Sequence, residues 1–307
     1  MKSCLSKEPL RRFWLISDLQ QHDPLNARTC MYTGVDDFLS LQLPVDAVCY
    51  LGDSTQGFDL SHLEEMADMQ VRALSRIDAP VYYVMGNHEF DYQRRSPRPK
   101  PAPLRIPMRE RVLRENQWHT TASPRDWTMS ADFDGLKIFF FSDHGDLKGS
   151  WCDTHGYVQD YIPMEGEPAP HQEGDEEEQA IREALEAIET PFFTMSHYAF
   201  FGGNRESEQQ SRFLPLPPNA VAHFYGHCHI GDEMWGGDNC LRQISGISGS
   251  SLTQFDIASL ENHRGNAIRS AVLEWYGGRS FGVFFRNHTT GRWEKAYMDN
   301  GTFARSY

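Results

Sequence analysis

Eight polar side chains stand at or just beyond the ends of short apolar runs: Asp18, Gln20, Asp53, Asn87, His88, His197, His227 and His229. Together they offer carboxylate, amide and imidazole groups and no lysine, an inventory that suits hard-to-borderline divalent cations bound through oxygen and nitrogen. Singly, each has an ordinary use: an Asp after a strand caps a turn, and a lone His is more often a satisfied polar residue. Ordinary uses do not explain why all of them gather at five run ends. In His227-Cys228-His229 an extended chain projects both rings to one side, so the imidazoles can reach adjacent ions while Cys228 points away and packs.

The runs that must position these groups are residues 12–17, 45–51, 80–85, 191–195 and 221–225. Rich in β-branched and aromatic residues, they are too short for helices and suit strands buried on both faces. Apolar positions three and four apart (Leu63, Met66, Ala67, Val71, Leu74) predict a helix over 60–77. A second helix over 175–188 opens with acids that suit the positive end of its dipole. Strand, loop, helix, strand in repetition is the grammar of a layered α/β fold, whose ligand sites lie beyond the carboxyl ends of the strands. In the last third, runs over 240–247, 270–276, 281–285 and 292–298 predict a second, more antiparallel sheet packed on the first.

The order D-x-Q, G-D, G-N-H-E, H, G-H-x-H across residues 18–229 resembles the calcineurin-like metallophosphoesterase superfamily. That resemblance implies an α/β (α+β) fold, a four-layer αββα sandwich with two mixed β-sheets flanked by helices, as a single domain over 1–307. It also implies two metal ions. Asp18, Gln20, Asp53 and His229 would surround one; Asp53, as the bridge, with Asn87, His197 and His227 would surround the other. His88 would lie beside the pair as the catalytic acid. The implied reaction is in-line attack of a metal-bridging hydroxide on a phosphoester or phosphoanhydride, without a phosphoenzyme. Two dications, two carboxylates and a hydroxide sum to about +1, a positive pocket in an acidic protein.

Gln20 stands where most of the superfamily has His. Its carbonyl oxygen is a harder ligand than imidazole and does not titrate, which moves that site towards manganese, magnesium or iron and away from zinc; of these, manganese or iron is favoured, with magnesium or zinc as alternatives. The D-x-Q form is similar to manganese-dependent ADP-ribose/CDP-alcohol diphosphatases, so a phosphodiesterase or diphosphatase acting on a small phosphorylated substrate, such as a nucleotide conjugate, is favoured. The alternatives are a phosphomonoesterase of the same fold and a catalytically weak scaffold binding a protein partner. His22 is the alternative metal ligand. Gln56 occupies the place of a metal-binding Tyr in purple acid phosphatases, which argues against that branch.

With 307 residues and a net charge of −14, the chain is long enough for a sizeable core and too acidic for a general nucleic-acid binder. Mean hydropathy is −0.57 and no long apolar run is present, so no membrane span is expected. The first residues lack the apolar core of a signal peptide, and six scattered cysteines without a C-x-x-C pair suggest reduced thiols, hence a cytoplasmic protein. Nothing in the sequence speaks to oligomeric state. Two segments read as insertions: 91–135, basic and Pro-rich, and 145–178, partly acidic. The first carries eight basic residues and one acid between positions 94 and 114; it reads either as a solvated Pro-rich loop paired with the acidic segment or as a lid, with Arg94 and Arg95 gripping a substrate phosphate. His144 and Tyr198 are further candidates for substrate contact, though a lone strand-end His is more often structural and the aromatics after His197 more often pack in a core.

Overall fold

The computed structural model describes residues 8–21, 23–56, 60–86, 88–90, 107–121, 128–141, 174–200, 215–229, 241–247, 250–262, 265–298 and 303–305. Strand β1 (Arg11–Ile16) alternates its faces: Trp14 and Ile16 enter one apolar cluster, Phe13 and Leu15 another. It pairs in parallel with β2 (Ala47–Leu51), which pairs in parallel with β3 (Val81–Val84). Parallel neighbours need crossovers. Helix α1 (Pro24–Ser40) makes the first and α2 (Leu60–Leu74) the second. The sequence reading did not anticipate α1, whose apolar spacing is interrupted by Thr29, Thr33 and Gly34. Its start is nonetheless well encoded, since the Asp23 side chain accepts the Leu25 N–H and Pro24 fills the first turn.

β4 (Trp118–His119) completes that end of the sheet beside β3, after the short helix α3 (Pro107–Val112). The middle of the chain builds the second sheet. β5 (Thr128–Asp132), β6 (Lys137–Phe141), β7 (Phe192–Ser196), β8 (Ala220–Tyr225), β10 (Ser250–Asp256) and β9 (Leu241–Ile247) lie in that spatial order, with β6, β7, β8 and β10 parallel. Helix α4 (Gly174–Glu186) packs on its outer face.

The C-terminal strands depart from the expectation of a separate sheet. β11 (Arg269–Gly277) pairs antiparallel with β1, and β12 (Ser280–Asn287), β13 (Arg292–Met298) and β14 (Phe303–Arg305) follow outward, so they extend the first sheet. β1 opens the parallel run with one backbone edge unpaired, and the hairpin turning at Gly278 covers it.

Three apolar layers separate four structural ones. Trp14 stacks on Phe38 of α1, ring centroids 4.2 Å apart, between helices and first sheet. Phe13, Leu15, Phe193, Met195 and Phe224 fill the space between the sheets. Ile181 and Leu185 of α4 meet Phe139 and Phe192 outside the second sheet. This is an αββα sandwich. Burying each such side chain is worth about 1.5–3 kcal/mol, which makes these layers the main stabilising term.

Much of the 91–135 segment is part of this framework. α3 buries Met108 and Val112 in the helix-side core, Arg109 donates to the Thr121 carbonyl, and Arg111 pairs with Asp68 and Glu115. Arg94, Arg95 and nearly all of the 145–178 segment lie outside the described residues.

Candidate metal centre

The carboxyl ends of β1, β2 and β3 in one sheet meet those of β7 and β8 in the other. Asp18 and Gln20 follow β1, Asp53 follows β2, and His88 opens the 3-10 turn His88–Phe90 after β3. His197 follows β7; His227 and His229 follow β8. Backbone bonds join the loops: Asp18 N–H to Gly52 O (3.0 Å), Leu19 N–H to Asp53 O (3.0 Å) and Gly226 N–H to His197 O (3.2 Å). Four of the candidate ligands sit in left-handed backbone, with φ of 56° at Asp18, 50° at Asp53, 69° at His227 and 46° at His229. Such conformations cost non-glycine residues about 1–3 kcal/mol each and persist only where the surroundings enforce them.

Asp53, His197 and His227 each place a donor atom within 4.8 Å of the others, and so do Asp18, Asp53 and His229. Asp53 belongs to both groups. Within them, His197 Nε2 lies 3.2 Å from Asp53 Oδ2 and 3.1 Å from His227 Nδ1, while His229 Nε2 lies 3.1 Å from Asp18 Oδ1. The Gln20 amide touches His229 Nε2 as well. Neighbouring ligands of one cation, with bonds near 2.0–2.1 Å, stand roughly 3.0–3.4 Å apart. Asp18 Oδ1, Gln20 Oε1 and Asp53 Oδ2 are buried and accept no hydrogen bond from the described residues. Lone pairs are rarely left unused by burial. The donor set therefore fits a pair of cations.

The remaining atoms of these side chains are tied down. Asp18 Oδ2 accepts the His227 N–H at 2.9 Å, and Asp53 Oδ1 accepts the His88 N–H at 2.8 Å. His197 Nδ1 donates to the Leu51 carbonyl at 2.8 Å, which leaves the Nε2 lone pair facing the site. His229 Nδ1 donates to the buried Glu261 carboxylate at 2.5 Å. Glu89 accepts the backbone N–H groups of Asp53, Ser54 and Gly86 and the Ser54 hydroxyl, so one side chain fastens the loops after β2 and β3. Two glycines permit the approach. A Cβ on Gly86 would stand 2.4 Å from Asp53 Oδ1, and one on Gly226 would stand 2.0 Å from Ser17 Oγ.

Burial would push the imidazoles of His197 and His229 down, but Asp53 and Asp18 beside them raise them to about 10 and about 9. Burial, followed by the His197 charge, takes His227 down to about 3. For Asp18 and Asp53, burial pulls upward and neighbouring imidazolium charge prevails, holding both below the ordinary carboxylate range. Desolvation, then the Asp53 charge, raises Glu89. The two buried carboxylates thus make the site one that favours positive charge.

Of the remaining candidates, Asn87, His22, Arg94, Arg95 and His144 lie outside the described residues. The Tyr198 ring is buried, 4.6 Å from the His227 ring and 5.0 Å from that of His197, and packs against the imidazoles. Cys228 lies against the inter-sheet core, as strand alternation suggests. Glu261 and the anchoring role of Glu89 were missed. Glu89 belongs to the G-N-H-E run and could have been found there, whereas nothing in the sequence around Glu261 marks it.

The calcineurin-like phosphoesterase family model matches residues 11–231. No curated protein matches the sequence. Among solved structures, a dimetal phosphatase from Danio rerio is similar over 91% of this chain and 96% of its own, with a TM-score of 0.57 and 13% identity. A purple acid phosphatase from yellow lupin (Lupinus luteus) seeds is similar over 94% of this chain and 53% of its own, with a TM-score of 0.52 and 9% identity. At such identities the likeness to these structures is one of fold.

Proposed function

This chain belongs to the calcineurin-like phosphoesterase family and is a metal-dependent phosphoesterase; on that premise we propose that it cleaves a phosphodiester or phosphoanhydride in a small substrate such as a nucleotide conjugate. The observation that carries the reading is the sharing of Asp53 between two ligand groups. Asp18, Gln20, Asp53 and His229 would hold one cation; Asp53, His197 and His227, with Asn87, would hold the other. Bound there, a pair of divalent cations supplies Lewis-acid charge to phosphoryl oxygens and lowers the pKa of a water towards neutrality. The neutral, hard oxygen of Gln20 draws its site away from zinc, and manganese or iron is the proposed pair.

The chain's own residues arrange the rest. His88 is anchored by its N–H on Asp53 and holds its Nε2 4.0 Å from Asp53 Oδ2, with its side chain 13% exposed. From there it would give a proton to the leaving oxygen. Arg94, Arg95 and His144 are proposed, on sequence grounds, to reach the substrate's distal groups. No helix among the described residues is long and apolar enough to cross a membrane, and a cytoplasmic location is proposed from the cysteine pattern.

The test is metal analysis with a substrate panel on protein reconstituted with manganese. Expected are two ions per chain and faster hydrolysis of bis(p-nitrophenyl) phosphate and ADP-ribose than of p-nitrophenyl phosphate. Fewer than two ions with no hydrolysis of any phosphoester would overturn the reading. A preference for the monoester would overturn the diester and anhydride assignment alone.

A further inference from the structure

The two ligand groups have unlike backing. His197 Nδ1 donates to a neutral acceptor, the Leu51 carbonyl, whereas His229 Nδ1 donates to a carboxylate, Glu261, whose side chain is wholly buried. The loop carrying Glu261 is fixed at several points. Leu260 N–H donates to the Ser17 carbonyl at 3.0 Å, one residue before Asp18. Asn262 Oδ1 accepts from Asn26 at 2.8 Å and from Gln21 at 3.4 Å, which anchors the far side of Glu261 beside Gln20. At the start of the loop, Ala258 takes left-handed backbone (φ 67°) and donates its N–H to Asp256 Oδ1 at 2.8 Å. Glu261 is thus held against the His229 ring by the same loop that supplies Asp18 and Gln20.

A buried carboxylate on the far nitrogen fixes the tautomer and tilt of an imidazole and makes its other nitrogen a stronger donor to a cation. The Asp18, Gln20, Asp53 and His229 group also holds two carboxylates, against one in the Asp53, His197 and His227 group. We infer that Glu261 is a positioning residue that makes the His229 group the tight-binding half of the centre and leaves the His197 group as the exchangeable half. This rests on the dinuclear reading above and adds to it an order of loading and the residue that sets it.

The experiment is stepwise manganese titration of the full chain by calorimetry and electron paramagnetic resonance, with circular dichroism checking the fold. The wild type is expected to load in two resolved steps. His229→Ala should remove the tighter one and His197→Ala the weaker one. Glu261→Gln keeps a hydrogen-bond acceptor and removes the charge, and should weaken the tighter step by about tenfold to a hundredfold while leaving the weaker step unchanged. An unaltered tight step in a folded Glu261→Gln protein, or equal weakening of both steps, would overturn the inference. Should that variant fail to fold, the His197→Ala and His229→Ala titrations still decide the order of loading, and a tight step lost with His197 overturns it. A wild-type chain that binds no manganese would refute the dinuclear reading instead.

Discussion

The Asp18 carboxylate, beyond the end of β1, accepts the backbone N–H of His227, beyond the end of β8, at 2.9 Å through Oδ2. One oxygen of a candidate ligand thereby holds the backbone of another from the opposite sheet, while its Oδ1 remains turned to the site. The two roles separate by substitution. Asp18→Asn keeps an oxygen for the His227 N–H and should fold normally while losing the tighter manganese step. Asp18→Ala should lose that step and also about 1–3 kcal/mol of stability, because a buried N–H is left without its acceptor. Denaturant titration of the two metal-free variants checks the difference.

Asp53 belongs to both ligand groups and Gln20 to one edge of a single group. Asp53→Asn should abolish both manganese steps and lower turnover of bis(p-nitrophenyl) phosphate by about a hundredfold to a thousandfold or more. Gln20→His exchanges one neutral ligand for another and should retain two ions, with a shift towards zinc. Comparable losses in both variants, measured by metal content and kcat, would count against Asp53 as the bridge.

His88 touches Asp53 through its backbone and stands beside the donor atoms with its ring. His88→Ala preserves that backbone bond, so two ions should still bind. Turnover should fall by about a hundredfold to ten-thousandfold, most for poor leaving groups, as expected for loss of a general acid. A leaving-group series with metal content measured in parallel decides this, and loss of a metal ion would make His88 a ligand.

Gly226 and Gly86 lie where loop backbones press on ligand carboxylates. A Cβ at Gly226 would fall 2.5 Å from Asp18 Oδ2, and one at Gly86 would fall 2.6 Å from the Asp53 nitrogen. Either alanine variant should cost about 1–3 kcal/mol of stability through overpacking and weaken manganese binding at the carboxylate displaced. Thermal melts and titrations with unchanged midpoints would show that the loops have more room than their packing indicates.

The ligand groups were legible because each sits where an apolar run breaks into polar residues, and a parallel strand's end is where such a fold gathers its chemistry. The strands that carry them, β1, β2, β3, β7 and β8, were legible for the same reason. The partner of β1 was not: Arg269–Gly277 reads as a strand, but no local pattern says that it pairs with Arg11–Ile16 from across the chain. Glu261 was invisible because it acts from a turn after β10, where composition carries no period and only the folded loop brings it to His229. For Tyr198 the sequence left two roles open, since an aromatic next to a candidate ligand can face the substrate or the core; its ring is buried.

Away from the centre, a chain of hydrogen bonds runs through the first sheet and fixes the charge state of a buried imidazole. Trp14 Nε1 donates to Ser270 Oγ at 2.7 Å, Ser270 Oγ to His288 Nε2 at 2.7 Å, and His288 Nδ1 to Asp37 Oδ2 at 2.7 Å. Arg286 grips both oxygens of Asp37. Burial, aided by the Arg286 charge, lowers the His288 imidazole despite the pull of Asp37. Asp37 itself, which burial would raise, is held down at about 2 by Arg286 and His288. Both groups bind protons more readily unfolded than folded, so both favour the folded chain at neutral pH and lose that effect on acidification. For His288 the loss begins as pH falls below about 6.5, and for Asp37 below about 3.9. Denaturation midpoints at fixed manganese should therefore fall between pH 7 and pH 5, and the slope should be shallower in His288→Gln, which has no group to titrate there. An equal slope in wild type and variant would mean that His288 already carries its proton in the folded state.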